Sequence, residues 1–188
     1  MHRVWSLNEA PTPAYVIHKG MLDLNLATID KVRREAGVEV IVALKANATW
    51  HIFPELKAHS DGATASSLSE ARLVVEYMGV KAHTYAPVYT EEEIDAILEA
   101  SSYITFNSLA QYERYHCRAA ERGVSCGLRV NPEYSTVETD LYNPAMPESR
   151  LGVRAVDLPQ ERALPQLRRC YCHGGLLHGL SPVYCRAH

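Results

Sequence analysis

A chain of 188 residues, 47% hydrophobic and 22% charged, is long enough to bury the core of one globular domain. Its formal net charge of -3, with no run of lysines or arginines, excludes the electrostatic footprint of a nucleic-acid binder. The opening residues, MHRVWSLNEAPTPAYVI, lack the long apolar core of a signal peptide, and no stretch approaches a membrane span, so a cytoplasmic enzyme or binding domain without a nucleic-acid or membrane partner is expected.

In chain order, residues 12–17 read as a short strand. Residues 21–35 carry Leu22, Leu26, Ile29 and Val32 at helical spacing, closed by Gly37. Residues 40–44 form a continuous apolar run rich in β-branched side chains, which suits a parallel strand covered on both faces, and Lys45 follows it directly. A helix is expected over 52–59, a strand over 62–65, and a helix from Ser67 to Gly79 that opens on a capping box between Ser67 and Glu70. Next come a strand at 83–86 and a helix opened by Thr90, with Glu91, Glu92 and Glu93 in its first turn. A strand at 103–106, a helix capped by Ser108 and running to Gly123, and a strand at 126–130 complete the series.

Counting unit starts at Glu39, Asp61, His83, Tyr103 and Ser125 gives spacings of 22, 22, 20 and 22 residues. Strands alternating with helices at so constant a period predict βα units with right-handed crossovers, and favour a (β/α)8 barrel over an open doubly wound sheet. The first strand is followed by no G-x-G-x-x-G or Walker A pattern, which counts against a dinucleotide or P-loop fold.

Barrel enzymes place their chemistry at the C-terminal ends of the strands. Those ends carry Lys45, then Ser66 and Ser67, Pro87 and Tyr89, Asn107, and Arg129 with Asn131. A lysine in a water-poor mouth at a strand end has its ammonium form disfavoured by desolvation, and an amine so tuned forms a Schiff base with an aldehyde. Each residue also has a structural reading: Lys45 as a solvated loop residue, Ser67 and Ser108 as helix caps, Asn107 as a turn residue, Arg129 as a surface ion-pair partner.

The segments TPAYVI, ALKANATWHIFP, DGATASSLSEARL, HTYAPVYTEEEID and YITFNSLAQYER, and above all CGLRVNPEYSTVETDLYNP followed by SRLGV, narrow the choice. From about Thr12 to Val153 the chain resembles the carboxynorspermidine (carboxyspermidine) decarboxylases, pyridoxal 5′-phosphate-dependent enzymes of the alanine racemase and ornithine decarboxylase fold. The resemblance implies that Lys45 is the catalytic lysine that bonds the cofactor's aldehyde. It implies that Arg129 and Arg150 lie near the cofactor, that Glu70 is a carboxylate holding this basic network, and that Ser66 and Asn107 belong to the cofactor site. It further implies a small-molecule polyamine amino acid as substrate, norspermidine or spermidine with carbon dioxide as products, and a homodimer. Glu133, Glu138 and Asp140 are candidates for the polyamine tail by proximity in sequence.

The resemblance ends near Pro165. Beyond it the family has a sixth strand with His-x-His and a following Cys-Glu, a glycine-rich phosphate loop, a carboxylate on the pyridine nitrogen and a C-terminal β domain, none of which this sequence carries in matching form. Residues 1–165 are therefore expected to form a partial, truncated barrel domain of five to six βα units. Residues 166–188 are read as an atypical tail, either frameshifted or, at 175–180, a remnant of the sixth strand. Cys170, Cys172, His173 and His178 crowd there, but Cys-x-Cys-His lacks a second ligand pair at a zinc spacing, so no metal site is assigned. Other readings are a different amino-acid decarboxylase or racemase of this fold and cofactor, a non-catalytic cofactor-binding barrel, and an inactive fragment.

Overall fold

The computed structural model describes residue 6, residues 9–158, residue 164 and the backbone of Leu167–Cys172. Its framework is one parallel sheet. Strands β1 (Ile41–Ala43), β2 (Gly62–Ala65), β3 (Ala82–Tyr85), β4 (Ser101–Phe106) and β5 (Ser125–Asn131) lie side by side in chain order, every pair parallel. Helices α1 (Lys19–Ala36), α2 (Phe53–His59), α3 (Leu68–Leu73), α4 (Ile94–Ala100) and α5 (Leu109–Glu121) alternate with them. A doubly wound sheet reverses its strand order at a switch point; consecutive order is that of a barrel wall. Among the described residues no helix is long and apolar enough to cross a membrane.

Local chemistry sets the element ends. His18 caps α1 by accepting the Met21 N–H at 3.2 Å, and Gly37 closes it with φ 61°, a left-handed conformation that suits glycine. Ser67 and Ser108 cap α3 and α5, accepting the N–H groups of Glu70 (3.2 Å) and Gln111 (3.3 Å). Val74–Met78 continue α3 as a π-helical turn that ends at Gly79.

Three expectations need correction. The strand at residues 12–17 is absent: 14–17 are outside any ladder and exposed, Tyr15, Val16 and Ile17 among them. Val32, placed in the helix stripe by spacing, is exposed, and the buried seam of α1 rests on Leu26 with Leu22 and Ile29 beside it. Helix α4 starts at Ile94 and not at Thr90: residues 91–93 form a turn that leads into it, with Glu91 paired to Arg114 at 3.1 Å and to Arg118 on α5. Two further strands extend the sheet. β6 (Val153–Arg154) pairs with Val130 and Asn131, and β7 (Leu167–Cys172) runs parallel to β5. The candidate strand at 175–180 and the His173 and His178 ligands lie outside the described residues, as do the side chains of Cys170 and Cys172.

Alternation along the strands separates two faces. Ala63, Ala65, Ile104, Phe106, Cys126 and Leu128 pack under the helices, where Phe53, Ile94, Leu98 and Tyr112 complete the core. The opposite face carries Thr64, His83, Tyr85, Tyr103 and Thr105, all half-buried, with the His83 and Tyr103 ring centroids 4.3 Å apart.

Tyr89 fastens β3 to β4. Its buried hydroxyl donates to Thr105 O at 2.9 Å and accepts the Ala86 N–H at 2.9 Å, and burial pushes the phenol far above its ordinary range, so it stays a neutral donor. Tyr89→Phe leaves that N–H without its partner in a dry site and is expected to cost about 1–3 kcal/mol in urea unfolding. A change below about 0.5 kcal/mol would mean that another group takes over the bond.

Candidate active site

In a parallel sheet all C-terminal strand ends share one side. Lys45 lies two residues beyond β1, Ser66 follows β2, Asn107 follows β4, and Arg129 sits inside β5 two residues before its end. Leu44 is buried in the helix-side core, and Lys45 follows it in the turn over 44–46. That turn is open: Lys45 is exposed, with no hydrogen bond or ion pair among the described residues. The expected water-poor mouth is therefore not formed around Lys45 among the described residues.

Arg129 departs from its surface reading in the other direction. It is 4% exposed, its guanidinium donates to the Tyr85 hydroxyl, and its Cζ lies 4.9 Å from the centre of the Tyr85 ring. The Tyr85 hydroxyl donates in turn to Asn107 Oδ1 at 2.9 Å. Asn107 Oδ1 also accepts the Gly152 N–H at 2.9 Å, and its Nδ2 donates to Arg150 O at 2.8 Å. Asn107 is thus a clip that holds residues 150–152 over the end of β4, and much of its amide is used up by protein. The clipped segment comes so close that a Cβ on Gly152, at φ 89°, would stand 2.9 Å from Asn131 N and 3.1 Å from Arg129 Cγ.

Arg129 and the backbone of Arg150 are brought together by this network; the Arg150 side chain is exposed and makes no ion pair among the described residues. Glu70 does not join them. Its carboxylate accepts the Ser66 N–H at 2.6 Å and so closes the start of α3 instead of facing the arginines. Ser66 is exposed beside it. Glu133, Glu138 and Asp140 lie exposed in the long segment that leaves β5, on the same side of the sheet as Lys45. Tyr85 was missed in the sequence reading. The available signal was the alternation in AHTYAP, which sets His83 and Tyr85 on the face opposite the core.

A consecutively ordered parallel sheet, with an amine beyond its first strand and a buried arginine near the end of its fifth, matches the N-terminal part of a (β/α)8 barrel, a fold that places chemistry at the C-terminal ends of its strands. No protein-family model matches the chain. It is 46% identical over 152 residues to carboxyaminopropylagmatine decarboxylase of Synechocystis sp., covering 81% of this chain and 39% of that protein. It is 40% identical over 141 residues to the carboxynorspermidine/carboxyspermidine decarboxylase of Herminiimonas arsenicoxydans, covering 75% and 38%. The crystal structure of carboxynorspermidine decarboxylase from Campylobacter jejuni, complexed with norspermidine, superposes with a TM-score of 0.77 at 33% identity, over 88% of this chain and 41% of that one. D-threonine aldolase from Filomicrobium marinum shares the fold alone, with a TM-score of 0.59 at 15% identity. The chain is a relative of the carboxynorspermidine/carboxyspermidine decarboxylases, and it spans about two fifths of the length of the curated relatives it matches.

Proposed function

We propose that this chain carries the lysine side of a pyridoxal 5′-phosphate-dependent decarboxylase that acts on carboxynorspermidine or carboxyspermidine in polyamine biosynthesis, as a cytoplasmic homodimer. The observation that supports it is Lys45, an accessible amine without a competing partner among the described residues, at the first strand end of a chain related to decarboxylases of that name. The donor set suits such a cofactor: a primary amine for its aldehyde, and cationic side chains for an anionic group. Lys45 would hold the aldehyde carbon. Arg129, fixed in place by Tyr85, and Arg150 would supply positive charge on the cofactor's side of the sheet, with the Ser66 hydroxyl nearby as a hydrogen-bonding group. Asn107 and Glu70 would act by holding backbone, one at residues 150–152 and the other at Ser66. When bound, pyridoxal 5′-phosphate accepts the electron pair left behind by the departing carboxylate. Glu133, Glu138 and Asp140 would attract the cationic tail of the substrate.

The 46% identity to a carboxyaminopropylagmatine decarboxylase favours a second substrate, one whose tail ends in a guanidinium and not an amine. Carbon dioxide release from carboxynorspermidine, carboxyspermidine, carboxyaminopropylagmatine, diaminopimelate and ornithine, by a protein of the relatives' full length that carries this chain, separates the readings. Turnover is expected from a carboxylated polyamine. Preference for the guanidino substrate selects the second reading, and preference for diaminopimelate or ornithine overturns both. Cofactor attached at Lys45 without release from any of the five identifies a non-catalytic binding barrel.

A further inference from the structure

The polarity of the hydrogen-bond chain that reaches Arg129 is fixed from its backbone end. The Gly152 N–H can only donate and the Arg150 carbonyl can only accept, so the Asn107 amide has a single orientation, Oδ1 toward Gly152 and Nδ2 toward Arg150. With Oδ1 an acceptor, the Tyr85 hydroxyl must donate to it. The phenol proton is committed there, which leaves the oxygen lone pairs to face the Arg129 guanidinium. Charge assistance strengthens that last bond, and the Tyr85 ring supports the cation at 4.9 Å. One hydroxyl at the end of β3 therefore joins a buried arginine of β5 to a segment lying across β4.

We propose that Tyr85 is a positioning residue: its hydroxyl sets the Arg129 guanidinium and couples it to the segment 150–152. This rests on the functional reading above for its purpose, since Arg129 is proposed there to supply charge at the cofactor site. Its physical content is separate. Without the hydroxyl, Arg129 loses an acceptor while retaining the ring, and Asn107 Oδ1 loses one of its two donors.

The test uses the whole 188-residue chain with Tyr85→Phe. Phenylglyoxal, which reacts with accessible guanidinium groups, is followed by peptide mass spectrometry, with Arg34 as internal reference because its side chain is 68% exposed. In the wild type Arg129 should be protected. In Tyr85→Phe its labelling relative to Arg34 should rise about tenfold, the factor by which loss of one charge-assisted hydrogen bond shifts a local opening equilibrium. The thermal midpoint is recorded in parallel, because a role confined to general packing would lower it without singling out Arg129. Pyridoxal 5′-phosphate titrated by absorbance should bind more weakly to the variant while borohydride still fixes it to Lys45. Unchanged Arg129 labelling, or a rise shared equally by all arginines, overturns the assignment. If Tyr85→Phe does not fold, Asn107→Ala cuts the same chain one bond further away and is read by the same two criteria. Absence of cofactor attachment in the wild type would sink the functional reading and leave the Tyr85 assignment to stand or fall on Arg129 alone.

Discussion

Lys45→Ala is expected to abolish attachment of pyridoxal 5′-phosphate to the chain. The sequence has five lysines, and they differ in how free their amines are. Lys19 is held by Asp23 at 2.7 Å, a hydrogen bond that raises its pKa and keeps it protonated, and Lys31 lies 3.9 Å from Glu35. Lys45 has no such partner among the described residues, and it alone of the five lies just past the C-terminal end of a strand. After incubation with the cofactor and borohydride reduction, peptide mass spectrometry should find the label on Lys45 in the wild type and essentially none in Lys45→Ala, with the unfolding curve unchanged. Unchanged stability is expected because an exposed side chain in a turn contributes little to packing. Label spread evenly over the lysines would take Lys45 out of the proposed chemistry.

Gly152→Ala should be the more damaging change to the fold. The backbone at φ 89° is one that side-chain-bearing residues rarely adopt, and the added methyl meets the main chain of β5 at 2.9 and 3.0 Å, where nothing flexible can yield. Strain and overpacking together point to a loss of about 2–4 kcal/mol. The same substitution pushes residues 150–152 away from Asn107, so Arg129 should become more accessible as stability falls. A loss under about 1 kcal/mol in urea unfolding would show that the segment can back away from the sheet without consequence.

The wall of the barrel was legible in the sequence because its strands are short apolar runs that recur at nearly constant spacing, a pattern fixed by the covalent length of a βα unit. Residues 12–17 show the limit of that reasoning. Apolar and β-branched content marks a segment that can pair, but Tyr15, Val16 and Ile17 find no ladder among the described residues. One helix start was readable only to within a turn: the acidic stretch after Thr90 suits a helix dipole, yet residues 91–93 form a turn that leads into α4. At the candidate site, position along a strand was readable and environment was not. Lys45 and Arg129 both come near strand ends in the pattern, but Lys45 lies two residues past β1 and open to solvent, while Arg129 lies within β5, nearly sealed under a segment that returns from more than twenty residues later. Tyr85 escaped notice for a related reason, since its hydroxyl gains meaning only from partners 22 and 44 residues away.

The long excursion between β5 and β6 is rooted by two amides that belong to neither of its arms. Asn131, the last residue of β5, accepts the Glu133 N–H at 2.9 Å and donates to Met146 O at 3.2 Å, and Asn107 grips residues 150 and 152 at the far end, just before β6. Its outer part carries Tyr134, Leu141 and Tyr142 exposed. The roots of the excursion are thereby held by side chains of the sheet, while its exposed tip is set apart from them along the chain. Divergence among descendants of this chain should accumulate in that span, while Asn107, Asn131 and Gly152 resist change together, as the three points of one hinge pin.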